Sequence, residues 1–228
     1  MAAALGLLAG DPGKPTGKDI PVKPIRIVIF AKAAQPGFAK TRLIPALGEQ
    51  GAANLAQRML MNTLSEALVA KIGPVELCVT PSSTDAMWQT LAISDEVEYS
   101  DQGEGDLGER LTRVTRRVIA DGESVLLIGT DCLELTAFHL RQAANALRHF
   151  DSTLIPVTDG GYALFGLNFF HPSLFKSIEW STNAVFFETM HRLEQLGFSV
   201  QSFPRLHDID KPSDLRWLPK TWEEEEYA

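Results

Sequence analysis

The feature that most constrains this chain is a rhythm. Short strand-like runs, IRIVIFA (25–31), VELCVT (75–80), VEYS (97–100), SVLLIGTD (124–131), STLIPV (152–157), GYALFGL (161–167) and FSVQSFP (198–204), are separated by stretches with apolar residues at helical spacing. The most apolar of these runs need cover on both faces, and strand–helix alternation supplies it through crossovers. The expected fold is α/β: three layers, α/β/α, around a mostly parallel, Rossmann-like central sheet. Helices are expected over 47–72, ended by Gly73-Pro74, over 83–92 with Ser83 or Thr84 as cap, and over 106–122. Further helices are expected over 135–150, capped by Thr136, and over 182–197, stopped by Gly197, with a closing turn at 211–218. Thr158–Gly160 lies between two strands as a hairpin signal. In such a sheet, ligands bind beyond the carboxyl ends of the strands, so the loops that follow strands carry the information.

Bulk properties narrow the classes. A chain of 228 residues suits one domain, expected over 24–220. Residues 1–23, rich in Gly, Pro and Lys after a short apolar start, read as a flexible leader, and 221–228 as an acidic tail. The net charge of −8 argues against nucleic acid as a partner, since phosphate contacts need a broad basic surface. No segment is apolar over enough residues to span a membrane. Cys78 and Cys132 have neither CxxC spacing nor a His pair, so both are expected reduced, in keeping with a cytoplasmic protein.

Five loops concentrate polar chemistry. KAAQPGFAKTR places Lys32, Gly37, Lys40 and Arg42 after the first strand, as a phosphate site needs, although an ordinary solvated basic turn would look the same. Its spacing is neither GxxxxGK[ST] nor GxGxxG. SDQGEGDLGER crowds glycines before a helix, so it could wrap a flat ring with help from Gln102 or Asp106, or simply connect. Asp131 closes an apolar strand, where a charge is costly without a partner, and a hard divalent cation is one such partner; a turn aspartate is the plainer alternative. Asp159, in Asp-Gly-Gly, could face a reaction centre as a carboxylate base or serve the turn alone. Asp208 and Asp210, one residue apart, point the same way in an extended segment.

As an ordered set, FAKAAQPGFAKTRLIPALG, QGEGDLGER, LLIGTDC, DGGYALFGL, WSTNAVFFET and HDIDKPSDL resemble the bacterial DUF2064 family over roughly residues 25–218. These are glycosyltransferase-like proteins of the GT-A, or nucleotide-diphospho-sugar transferase, fold, related to small nucleotidyltransferases. The resemblance implies that Lys32, Lys40 and Arg42 hold a diphosphate. It also implies that the loop Gln102–Arg110, with Gly105, Asp106 and Gly108, lines the nucleobase and ribose pocket. Asp131 and Asp210, with Asp208, would hold Mg²⁺ or Mn²⁺, and Tyr162, Trp180, Ser181 and Thr182 would lie near the sugar or acceptor. Three features depart from the pattern: Leu133 stands where Pro is expected, Thr158 where Glu is expected, and TDC carries one carboxylate instead of Asp-x-Asp.

The function implied is sugar transfer from a nucleotide-diphosphate-sugar donor to an unknown small-molecule acceptor; Asp159, as a carboxylate able to deprotonate the acceptor hydroxyl, is the candidate base. Two alternatives stay open: nucleotidyl transfer with release of pyrophosphate, and a nucleotide-binding module without catalysis. Oligomeric state is open, a homodimer included.

Overall fold

The computed structural model describes residues 22–220 and 222. The expected leader, apart from Val22 and Lys23, and the expected tail, apart from Trp222, lie outside the described residues. Among the described residues seven strands form one sheet: β1 (Ile25–Lys32), β2 (Val75–Thr80), β3 (Val97–Asp101), β4 (Ser124–Ile128), β5 (Ser152–Pro156), β6 (Tyr162–Leu167) and β7 (Val200–Ser202). Their order is β3-β2-β1-β4-β6-β5-β7, and β6 alone among them runs against the rest. The reversal follows from the tight turn after β5, which returns β6 antiparallel to it.

Alternation within β1 sorts the two cores. Ile27, Ile29 and Ala31 face the layer built from α1 (Ile44–Ala70) and α4 (Ala137–Ala146). Val28 and Phe30 face the layer of α3 (Leu107–Ala120) and α5 (Val185–Gln195). The expected three-layer α/β arrangement is therefore observed. Both cysteines are buried and free, and burial pushes the Cys78 thiol up to about 11 and the Cys132 thiol up to about 12. No helix among the described residues is long and apolar enough to cross a membrane.

Local chemistry moves three boundaries. α1 begins at Ile44 and carries a non-helical Gly48 (φ 71°), so its first turn is set off by a kink. The short α2 (Ala86–Gln89) is capped by Asp85, whose carboxylate accepts the Met87 N–H at 3.0 Å, and not by Ser83 or Thr84. α5 starts three residues later than its sequence signal, because Ser181 is left-handed (φ 64°) and the Thr182 hydroxyl donates to the Glu179 carbonyl at 2.8 Å. Thr136 does cap α4, and Glu66 of α1 accepts the Ala137 N–H at 2.6 Å.

A third apolar cluster positions the site. Leu43, Ala52, Leu55 and Met59 enclose Ile209, which anchors the late acidic segment against the amino-terminal half of α1. Leu133 packs at its edge, so the residue that stands where Pro is expected serves as apolar filling.

Candidate active site

A cleft of about 430 Å³ opens at the carboxyl ends of β1, β4 and β5, within the usual range for a small-molecule site. Its apolar side is built by Phe30 and Leu127 of the sheet and by Leu107 and Leu111 of α3. Arg42, Asp131, Asp159, Asp208 and Asp210 supply its charged side. Tyr162, Trp180, Ser181 and Thr182 also line it. Nine of the residues singled out from sequence thus share one concavity.

Lys40 joins them from below. Its backbone is left-handed (φ 46°), and its side chain is only 7% exposed. The ammonium lies 2.6 Å from Asp131 Oδ1 and donates to the Ile209 carbonyl. The expected burial of Asp131 is corrected here. β4 ends at Ile128, three residues before Asp131, and the Asp131 side chain is 55% exposed. The desolvated member of the pair is the lysine, whose aliphatic stem can be buried while its charged end finds a carboxylate and a carbonyl. Arg42 makes the matching pair with Asp210, Nη1 to Oδ2 at 2.5 Å. Two backbone bonds hold the acidic segment in place: the Ile209 N–H donates to the Asp131 carbonyl at 2.8 Å and the Leu206 N–H to the Pro156 carbonyl at 3.0 Å. With Ile209 buried on the other side, Asp208 and Asp210 both line the cleft, as extended backbone requires.

Asp208 is the electrostatically stressed group. Burial, then the nearby charge of Asp159, raises its carboxyl above the ordinary aspartate range, against a 3.2 Å hydrogen bond donated by the Thr158 hydroxyl. Thr158, standing where a glutamate is expected, thus supplies a donor where a third carboxylate would add repulsion. Asp159 accepts the Gly161 N–H at 2.8 Å, so the turn role is real, and the same turn brings its carboxylate into the cleft. Gly160 (φ 96°) makes this possible: a Cβ there would lie 2.4 Å from the Asn183 backbone.

The remaining sequence candidates lie off the cleft wall. Lys32 donates to the Phe38 carbonyl at 3.1 Å and braces its own loop. Gly37 turns that loop beside Glu49. The Gln102 amide donates to the carbonyls of Ala31 and Cys78, both at 3.0 Å, and its oxygen accepts from Arg110 at 3.0 Å. Asp106 and Glu109 form the capping box of α3, and Arg110 also donates to the Gly105 carbonyl at 2.9 Å. Gly108 lets α3 approach the Phe175 carbonyl and Trp180. The side-chain hydrogen bonds of Gln102, Asp106 and Arg110 are therefore spent within the loop and at the strand ends. The expected metal trio is likewise not gathered as a ready-made centre: among the described residues no group of three or more His, Cys, Asp or Glu could hold a metal. Asp131 and Asp210 are paired with cations instead.

The apolar wall and one further tie are absent from the sequence candidates. Phe30 lies inside a run that reads as pure core. Glu134 accepts the His207 backbone N–H at 2.9 Å and lies 3.1 Å from its Nδ1, while His207 stacks on Trp217 at 3.8 Å. Glu134 and His207 are 73 positions apart, and no spacing rule links them.

Comparison with known proteins agrees with this architecture. The family described as "Uncharacterized protein conserved in bacteria (DUF2064)" matches residues 63–182, more than half of the chain. The crystal structure of a provisionally assigned nucleotide-diphospho-sugar transferase from Desulfovibrio desulfuricans G20 is similar with a TM-score of 0.80, at 28% identity, over 87% of each chain. CMP:2-keto-3-deoxy-manno-octonic acid synthetase complexed with CTP is similar with a TM-score of 0.55, at 11% identity, over 88% of this chain and 99% of that one. The 4-diphosphocytidyl-2C-methyl-D-erythritol synthase of Anaerococcus prevotii DSM 20548 gives a TM-score of 0.53, at 13% identity, over 88% and 96%. These last two share the fold alone. No curated protein matches the chain in sequence.

Proposed function

This chain belongs to the DUF2064 family, and from that premise we propose that its cleft transfers a sugar from a nucleotide-diphosphate-sugar donor to a small-molecule acceptor. The observation that carries the proposal is the pairing of Lys40 with Asp131 and of Arg42 with Asp210 at the cleft. Each pair sets a cation against a carboxylate that an anionic ligand of the same charge could replace. A diphosphate would take over the ammonium and the guanidinium, the latter through a bidentate fork. Asp131, Asp208 and Asp210 are not gathered as a three-ligand centre, but one or two of the carboxylates so released would suit a divalent cation, since Mg²⁺ takes one or two carboxylates together with substrate phosphates. The raised carboxyl of Asp208 beside Asp159 fits such an ion, because two neighbouring carboxylates without a cation repel. When bound, the ion supplies positive charge opposite the leaving diphosphate.

The protein's own residues account for the rest. Lys40 and Arg42 stabilise negative charge that gathers on the diphosphate as the bond between it and the anomeric carbon breaks. Asp159 accepts the proton of the acceptor hydroxyl as that oxygen bonds to the anomeric carbon. Trp180, Ser181 and Thr182 face the sugar or acceptor. The likeness to the Desulfovibrio protein, at 28% identity, supports a sugar donor.

Calorimetric titration with nucleotide sugars and nucleoside triphosphates, with Mg²⁺ or Mn²⁺ present, tests the proposal. Metal-dependent binding of a nucleotide sugar, lost in Asp131→Ala, is the expected result. Unchanged donor affinity in that variant sinks the assignment of Asp131. Nucleotidyl transfer rests on the same basic loop. A preference for a triphosphate, with pyrophosphate released on turnover, would establish it instead. Donor binding without turnover would mark a binding module.

A further inference from the structure

A second concavity lies at the opposite end of the sheet, where β1 and β4 begin and β6 ends. It is roughly one strand length from the cleft, about 23 Å at ~3.3 Å per residue. It encloses about 290 Å³ and is lined by Lys23, Lys71, Arg141 and Arg148, with Asn145 and Asn168, and among the described residues by no Asp or Glu. Arg141 and Asn145 stand one turn apart on α4, and Arg148 follows in the turn just after it, so the three line the hollow together. Lys71 is the left-handed cap that ends α1.

Among the described residues none of the four cations is ion-paired with a carboxylate. Two helix carboxyl ends meet here, and each contributes about −0.5 of a charge. Together they offset roughly one of the four cations and leave about three. Such a concentration is unexpected in a chain of net charge −8. Lys23 has polar partners but no carboxylate: its ammonium donates to the Asn168 carbonyl at 2.8 Å and lies over the Phe169 ring, and burial draws it below its ordinary pKa. Two phosphate groups carry about three to four negative charges at neutral pH, which matches the excess. Two arginines, Arg141 on α4 and Arg148 in the turn that follows it, suit their oxygens better than a lone carboxylate.

We infer that this hollow binds a small phosphorylated polyanion, of the class of pyrophosphate or a nucleoside polyphosphate, at a site separate from the cleft. The site is independent of what the cleft does. The test is titration of the full chain with pyrophosphate in the presence of EDTA, at low and at high salt, for three proteins: the wild type, Arg141→Glu/Arg148→Glu and Lys40→Ala/Arg42→Ala. The expected result is saturable binding that weakens with salt, falls about tenfold or more in the Arg141/Arg148 variant, and persists in the Lys40/Arg42 variant. Arg148→Gln serves where the double variant does not fold, because Arg148 is exposed and makes no side-chain hydrogen bond among the described residues. Binding unchanged by the Arg141/Arg148 or Arg148 substitution, or no binding at all, overturns the inference. So does citrate binding more tightly than pyrophosphate, which would reassign the class of anion.

Discussion

At the residue scale, Asp208 shows what the cleft costs the fold. Its folded-state carboxyl titrates above the ordinary value because burial, then Asp159, disfavours its charge. The folded protein therefore holds a proton that the unfolded chain has already released, across the interval between the two values. Over that interval stability falls as pH rises, and above it the loss is complete. Asp208→Asn keeps an acceptor for the Thr158 hydroxyl and removes the charge. It should melt at a higher temperature than the wild type at neutral pH. The gap should close as pH drops below about 4, where the unfolded carboxyl is itself protonated. Thermal melts across that range check this. A gap that does not change with pH would show that Asp208 is not under electrostatic stress. The same variant should lose affinity for divalent cations, which would show a residue kept for binding at the expense of stability.

At the scale of elements, the late acidic segment is a strap fastened chiefly at Ile209. Ile209 is sealed into the α1 cluster, its N–H reaches the Asp131 carbonyl, and its own carbonyl receives the Lys40 ammonium. Glu134 adds a tie through His207, beside the Leu206–Pro156 backbone bond and the Arg42–Asp210 pair. Lys40→Met would keep the apolar stem and delete the charge. Asp131, being mostly exposed, relaxes into water, so the cost should lie toward the low end for a charged hydrogen bond, about 1–3 kcal/mol. Denaturant unfolding measures that cost. Hydrogen exchange at Ile209 measures whether the strap loosens, and unchanged protection there would mean that the apolar cluster alone holds it.

Across the whole molecule, the charge pairs at the cleft predict coupling. If a diphosphate must displace Asp131 and Asp210 from their cations, and a metal needs those same carboxylates, each ligand prepares the site for the other. Nucleotide affinity should rise about tenfold or more when Mg²⁺ or Mn²⁺ is present, and metal affinity should rise by the same factor when nucleotide is present. Paired titrations in both orders measure this. Equal nucleotide affinity with and without metal would refute the exchange. The basic hollow at the far end of the sheet sits outside this coupling, and pyrophosphate bound there should not need a metal.

Much of this was legible in one dimension. Short apolar runs separated by helical spacing determined a covered, mostly parallel sheet, because burial on both faces leaves few other solutions for strands such as β1 and β4. The same logic directed attention to the strand-following loops, and Arg42, Asp131, Asp159, Asp208 and Asp210 do meet there. The sequence carried no sign of which of these charges would be buried. Lys40 is enclosed and Asp131 exposed because β4 ends early and Ile209 packs against α1, a contact between residues about 150 or more positions apart along the chain. Nor could it distinguish Gln102, Asp106 and Arg110 as ligand-binding groups from the same residues as internal ties, since both uses demand the same hydrogen-bonding side chains. Partner choice was left to tertiary structure because a hydrogen bond or ion pair depends on distances of about 3 Å, and spacing along the chain sets such distances only within a turn or a single helix.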